Sequence, residues 1–246
     1  MESPLFVDVY EILQRGYGRQ RWWPVTPRGG TLPMYTGGPR DARERFEVAV
    51  GAILTQNTAW SNASRAIESL NRLGVMSPGR LDALPVRDLA RAIRSAGYFN
   101  QKAKRLKTLA AFFTSTRAIT REALLALDGV GPETADSIML YAFDAPLFVI
   151  DAYTRRIFGR LALVDPRAPY EAIRKEFEGN IPARAAVFKE YHALIVEHGK
   201  RSCRKTPICE NCLLKKLCKA YLAGRRGAAH KGVAGQKSGK PKRGIA

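Results

Sequence analysis

Four cysteines, Cys203, Cys209, Cys212 and Cys218, stand within sixteen residues as C-x5-C-x2-C-x5-C, and no other cysteine occurs in the 246-residue chain. Thiolates at such spacing close on one tetrahedral metal ion or one iron–sulfur cluster. In a reducing compartment, clustered cysteines hold metal more often than they pair as disulfides. The same segment carries Lys200, Arg201, Arg204, Lys205, Lys215, Lys216 and Lys219 against a single acid, Glu210. A metal-stapled loop displaying cations is a surface suited to phosphate.

Charge along the whole chain points the same way. The formal net charge is +19 and the sequence pI is about 10.2. Seven of the basic residues and none of the acids lie in 224–246, a glycine-rich stretch without aromatics that reads as a disordered basic tail. The rest still has 34 basic residues against 22 acidic ones, or +12. A polyanion rewards such a body through counterion release, so nucleic acid is the leading partner, with a ribosome-associated or merely solvated basic surface as the plainer reading. No apolar run approaches the ~20 residues needed to span a bilayer. The N-terminus, MESPLFVDVYEILQRG, lacks the basic-then-apolar order of a signal peptide, so the expected location is cytoplasmic and nucleoid-associated, or nuclear in a cell with a nucleus.

Helical spacing dominates. Apolar residues recur at helical intervals over 43–55, 61–73, 86–96, 101–115, 132–143, 152–162, 169–178 and 183–198, separated by Ser77-Pro78-Gly79, Leu84-Pro85, Gly97, Gly129-Val130-Gly131 and Asn180-Ile181-Pro182. No stretch alternates long enough to be a strand. The expected fold is all-α.

Two segments carry chemistry. A short apolar helix, Glu122 to Leu127, runs into Gly129-Val130-Gly131, and Pro132 then opens a second helix. Glycine permits positive φ and close approach of a phosphate, and the free N–H groups of the next helix face an anion; an ordinary helix–helix turn would look the same. Further on, the apolar run Phe148-Val149-Ile150 ends in Asp151 at the start of another helix, where aspartate is also a favoured N-cap.

Taken together, a Gly-Val-Gly hairpin, an aspartate after an apolar run and four clustered cysteines resemble the helix-hairpin-helix DNA glycosylases of the endonuclease III superfamily, over residues 15–220. That resemblance implies two helical lobes flanking a cleft. One would join 1–47 to 161–223, with the iron–sulfur loop at 203–218; the other, 48–160, would hold the helix-hairpin-helix at 122–143. It also implies monomeric action on double-stranded DNA containing a damaged base, with a [4Fe–4S] cluster on Cys203, Cys209, Cys212 and Cys218, zinc being the alternative.

Roles follow from the resemblance. Leu54-Thr55-Gln56-Asn57-Thr58 is similar to the family segment whose glutamine, here Gln56, probes the gap left by a flipped base. Gly97-Tyr98-Phe99-Asn100-Gln101-Lys102-Ala103 resembles the wedge loop, with Tyr98 as wedge and Lys102 at the DNA. Gly129, Val130 and Gly131 would grip the backbone, and Lys200 would contact it ahead of the cluster loop. Asp151 would face the deoxyribose and stabilise the positive charge that develops there as the glycosidic bond breaks.

Bifunctional members of the family carry a lysine two residues after the second hairpin glycine, which cuts the strand through a Schiff base. Glu133 occupies that position here and cannot form an imine; no lysine lies between Lys107 and Lys175. The expectation is a monofunctional glycosylase. Arg21-Trp22-Trp23-Pro24 resembles the base-pocket element of the 3-methyladenine glycosylases built on this scaffold, with Phe46 and Glu133 as further pocket residues. Core packing is the alternative for Trp22 and Trp23. Alkylated purines are cationic, so an indole-lined pocket attracts them. Two other readings stand beside this one: an endonuclease III-type glycosylase for oxidised or mismatched pyrimidines, and a non-catalytic protein that binds damaged DNA.

Overall fold

The computed structural model describes residues 4–116 and 118–224; of the expected basic tail over 224–246, all but Gly224 lies outside the described residues. The described residues form no β-strand, apart from one isolated bridge between Val25 and Met34; eleven α-helices lie between Pro4 and Arg201, and residues 219–224 are helical as well. None of these helices is long and apolar enough to cross a membrane.

The first helix, α1 (Pro4–Tyr17), buries Phe6, Val9 and Leu13 along one stripe. It packs on α10 (Tyr170–Asn180) and α11 (Ala185–Arg201), which α9 (Ala152–Leu161) also meets. The seam is aromatic. Phe148 stacks on Phe177 with centroids 4.3 Å apart, Phe6 meets Phe177 edge-on at 5.0 Å, and the Tyr191 hydroxyl donates to the Phe6 carbonyl at 2.7 Å. The two ends of the chain thus close on each other.

The second group is built around α2 (Ala42–Leu54). Asp41 caps it, accepting the Glu44 N–H at 2.9 Å, and from Phe46 through Leu54 every residue is buried. Such a helix, enclosed on all sides, belongs at a core centre. Its neighbours are α3 (Trp60–Arg72), α6 (Phe99–Ser115) and α8 (Pro132–Phe143). Between α3 and α6 run the short α4 (Pro78–Ala83), α5 (Val86–Ala92) and a 3-10 turn, Arg94–Ala96. Ser77-Pro78-Gly79, expected as a turn, instead starts α4: Pro78 stands in its first turn and Leu81 reaches the core.

The hairpin lies between α7 (Arg121–Leu125) and α8. Gly129 has φ +77°, and a Cβ there would come within 2.0 Å of the Arg105 Nε. Gly131 caps α8 and Pro132 occupies its first turn. Behind the hairpin, Asp136 on α8 is fully buried and pairs with Arg121 at 2.5 Å and Arg174 at 3.9 Å. Arg121 also pairs with Glu171, so one ionic network ties both hairpin helices to α10.

Candidate active-site cleft

Asp151 sits where the extended segment 148–150 turns into α9. Its Oδ1 accepts the Thr154 N–H at 2.7 Å and the Thr154 hydroxyl at 2.9 Å, which makes it the N-cap. Its Oδ2 is left to face the His192 Nε2 at 3.6 Å. Burial alone would raise this carboxyl's pKa, but the facing His192 and the two Thr154 donors outweigh it, and the group lies below the ordinary aspartate value. Asp151 is therefore both cap and held carboxylate; the two readings of the sequence do not compete.

His192, on α11, is buried and held from behind: its Nδ1 meets the Tyr141 hydroxyl at 2.7 Å, and that hydroxyl donates to the Lys189 carbonyl at 3.1 Å. Tyr141 has one proton. Given to Lys189, it leaves the Nδ1 of His192 as the donor to Tyr141, with Nε2 on the side that faces Asp151.

These groups open on a cavity of about 670 Å³, within the range of small-molecule sites. Trp22, Trp23, Trp60 and Tyr35 form its aromatic wall. Trp22 meets Trp60 at 4.8 Å and Tyr35 at 5.7 Å, and Trp23 meets Trp60 edge-on at 5.7 Å. Gly51 of α2 lets the Trp23 indole lie against the helix, since a Cβ there would stand 3.0 Å from the ring. Gly199 does the same for Tyr153, another lining residue; a Cβ there would reach 2.2 Å.

Glu133, in the first turn of α8, also lines the cavity. It is open to the cleft, yet its recess and the neighbouring Asp151 push its carboxyl up to about 7. Two carboxyl groups in one cavity thus have opposite tendencies, one held ionised and one held near neutrality.

Of the other residues singled out in the sequence, Lys200 lines the cavity, its Nζ 5.8 Å from the Trp22 ring centroid. Tyr98 is 71% exposed at the head of α6, in left-handed conformation. Gln56 is tied to the hairpin: its amide donates to the Gly129 carbonyl and to Thr134, each at 3.0 Å, and it accepts from Arg105 at 2.7 Å. Gly131 is exposed and Val130 buried.

Three expected site residues lie elsewhere. Pro24 is buried and outside the cavity lining. Phe46, expected in the pocket, is fully buried against Phe113 at 5.3 Å, because α2 turns that face to the core. Lys102, expected at the DNA, is 2% exposed, and its ammonium donates to the carbonyls of Leu54 and Ala96 and to the Thr58 hydroxyl, each at 2.8 Å. It has no donor to spare for phosphate. Conversely, Trp60, Tyr35, Tyr153 and His192 line the cavity without having been assigned a role from sequence.

All four cysteines line a second, smaller cavity of about 120 Å³, with the Arg160 guanidinium donating to the Cys203 sulfur at 3.2 Å. Among the described residues, no three metal-ligating side chains converge on a single-ion position. Thiols ranged around a void suit a polynuclear cluster, and a donor to sulfur suits its negative charge.

The chain belongs to the HhH-GPD superfamily of base excision DNA repair proteins, whose family model matches residues 50–183. It is 42% identical over 227 residues to a candidate DNA repair glycosylase of Methanocaldococcus jannaschii, covering 87% of this chain and 96% of the relative. It is 30% identical over 189 residues to an endonuclease III of Sulfolobus acidocaldarius, covering 73% and 84%. An endonuclease III–DNA complex shares the fold with a TM-score of 0.71 at 20% identity, covering 92% of this chain and all of that one. A 3-methyladenine DNA glycosylase of H. pylori bound to 1,N6-ethenoadenine aligns with a TM-score of 0.65 at 23% identity, covering 80% and 97%. The protein is thus a DNA glycosylase of base excision repair by family.

Proposed function

We propose that this protein is a monofunctional DNA glycosylase that flips alkylated purines out of double-stranded DNA and hydrolyses their glycosidic bond. The observation that carries the reading is the cavity in which Trp22, Trp23 and Trp60 stand beside Asp151, with Glu133 where an amine nucleophile would be needed. A cationic purine gains cation–π attraction among indoles. It is also a good leaving group, so a held carboxylate suffices to stabilise the sugar as charge develops. Tyr98 and the hairpin would hold the strand from which the base is turned out, an unstacking cost of a few kcal/mol.

Cys203, Cys209, Cys212 and Cys218 would hold a [4Fe–4S] cluster whose part is to fix the cationic loop against the duplex. The purified protein would then be brown and carry iron; colourless protein with one zinc would reject the cluster alone.

The test is release of base from duplexes carrying 3-methyladenine, 7-methylguanine, thymine glycol, uracil or a G·T pair, coupled to borohydride trapping. Release confined to the alkylated purines with no trapped adduct supports the reading. A second reading, an endonuclease III-type pyrimidine glycosylase with strand scission, draws on Lys200, the one lysine among the described residues lining the cavity. Thymine glycol release with an adduct lost in Lys200→Ala would favour it.

A further inference from the structure

We propose that Glu133 acts as a general acid toward the flipped base, and that the enzyme therefore also excises neutral purines, hypoxanthine among them. The inference rests on the glycosylase reading above and extends its substrate class. A neutral purine leaves poorly as an anion and needs a proton on its ring nitrogen as the bond breaks; a cationic alkylated purine does not.

The geometry supplies the donor. Glu133 lines the same cavity as Asp151 and the indoles, and it projects from the first turn of α8, across from the start of α9. No ion pair ties its carboxyl among the described residues, in contrast to Glu44, Glu47, Glu171 and Glu178, which arginines hold. The groups that face it are Asp151 and Arg155 from α9, His192 from α11 and Tyr170 from α10. Crowding in the recess and the charge of Asp151 keep the carboxyl protonated into the neutral range, about 7, while Asp151 stays ionised. Carboxyl groups driven apart in this way divide the work of acid and base.

The step balances as a hydrolysis. The Glu133 O–H gives its proton to N7 or N3 of the purine, and the C1′–N9 bond breaks with its electron pair leaving on the base. Asp151 faces the cationic sugar, water bonds to C1′, and Asp151 takes the water's proton. That proton returns to Glu133 through solvent, and the base departs neutral.

The experiment compares single-turnover release of hypoxanthine and of 7-methylguanine by the full-length protein and by Glu133→Gln, each across pH 5.5–9. The variant should lose hypoxanthine release by roughly 10²–10⁴-fold, the range for a removed general acid, and 7-methylguanine release at least tenfold less than that. In the unaltered enzyme, hypoxanthine release should fall as pH rises through about 7, with 7-methylguanine release showing no such decline. Since His192 acts through Asp151, a limb that it caused would appear with both substrates. Equal losses for the two substrates overturn the inference, as does an identical pH profile. Release of 7-methylguanine without hypoxanthine overturns it and leaves the parent reading standing; release of neither overturns both. Should Glu133→Gln not fold, the wild-type pH profiles decide alone.

Discussion

The His192 imidazole stands 3.6 Å from Oδ2 of Asp151, the one carboxylate oxygen that the Thr154 cap bonds leave free. Tyr141 grips the far side of the ring, so the histidine cannot turn away without breaking a 2.7 Å contact. The pair gives Asp151 its orientation as well as its charge.

Replacing His192 should therefore move the acid limb of the pH–rate profile. His192 is among the causes that hold the Asp151 pKa below its ordinary value against the opposing effect of burial. Without it the carboxyl titrates at higher pH, and activity, which needs the ionised form, is lost earlier as pH falls. His192→Ala should show this displacement on every substrate, and His192→Gln should show less of it, since its amide can still face the carboxylate. An unmoved acid limb in both variants would mean that Asp151 is set by its cap alone.

Lys102 should matter for folding, with no share in DNA affinity. Lys102→Met leaves the Leu54 carbonyl without a donor, takes one of two donors from the Ala96 carbonyl and removes the ammonium from the Thr58 hydroxyl, at a cost of about 3 kcal/mol in unfolding free energy. Burial and the nearby Arg105 bring its pKa down from 10.5 to about 8. The folded protein then sheds this proton before the unfolded chain does, so this group's contribution to stability rises with pH between those values. Denaturant unfolding at pH 7 and pH 10 should show that rise in the wild type and not in the variant. The salt dependence of DNA binding should be the same for both, since no phosphate contact is lost.

Gly129 offers a test of the hairpin. Its φ of +77° is open to glycine but costly for other residues, and a Cβ would meet the Arg105 side chain. Arg105 in turn holds Gln56, whose amide donates to the Gly129 carbonyl. Gly129→Ala should cost about 1–3 kcal/mol and loosen Gln56 together with the backbone grip. The expected result is a lowered Tm and weaker binding to undamaged duplex. Weakened excision with unchanged duplex binding would place the grip elsewhere.

The helices that build the cleft were legible because their apolar residues repeat at helical spacing within one segment, as in α2, α6 and α8. The first helix was not. Its stripe is only Phe6, Val9 and Leu13, and the surfaces that bury it, on α10 (Tyr170–Asn180) and α11 (Ala185–Arg201), lie near the other end of the chain. Lys102 reads as a surface cation because two of its three acceptors, at the end of α2 and in the 3-10 turn, are backbone carbonyls and leave no mark in residue type. Phe46 and Trp60 show the converse. Both are aromatics near the Leu54–Thr58 segment, and only the direction in which each helix faces separates a core ring from a cavity wall. Trp60 stands two residues after Thr58 and opens α3, which turns its ring to the cavity. His192 follows Tyr191 in the chain, but its partners Tyr141 and Asp151 are 51 and 41 positions away.

Tyr98 allows function and stability to be separated at one position. The residue is 71% exposed, and its φ of +44° puts a side chain where glycine is more comfortable. An exposed aromatic held in left-handed backbone costs the fold about 1 kcal/mol or more without burying anything. Tyr98→Gly removes the ring and relieves that cost. If the ring is the wedge that fills the gap behind a flipped base, the variant should keep or raise Tm while base release drops by one to two orders of magnitude, about 1.4–2.7 kcal/mol of lost transition-state support. Tyr98→Phe should keep both, since the wedge needs the ring and not the hydroxyl. Activity preserved in Tyr98→Gly would show that the left-handed turn, and not the aromatic it carries, is what the loop at the head of α6 provides.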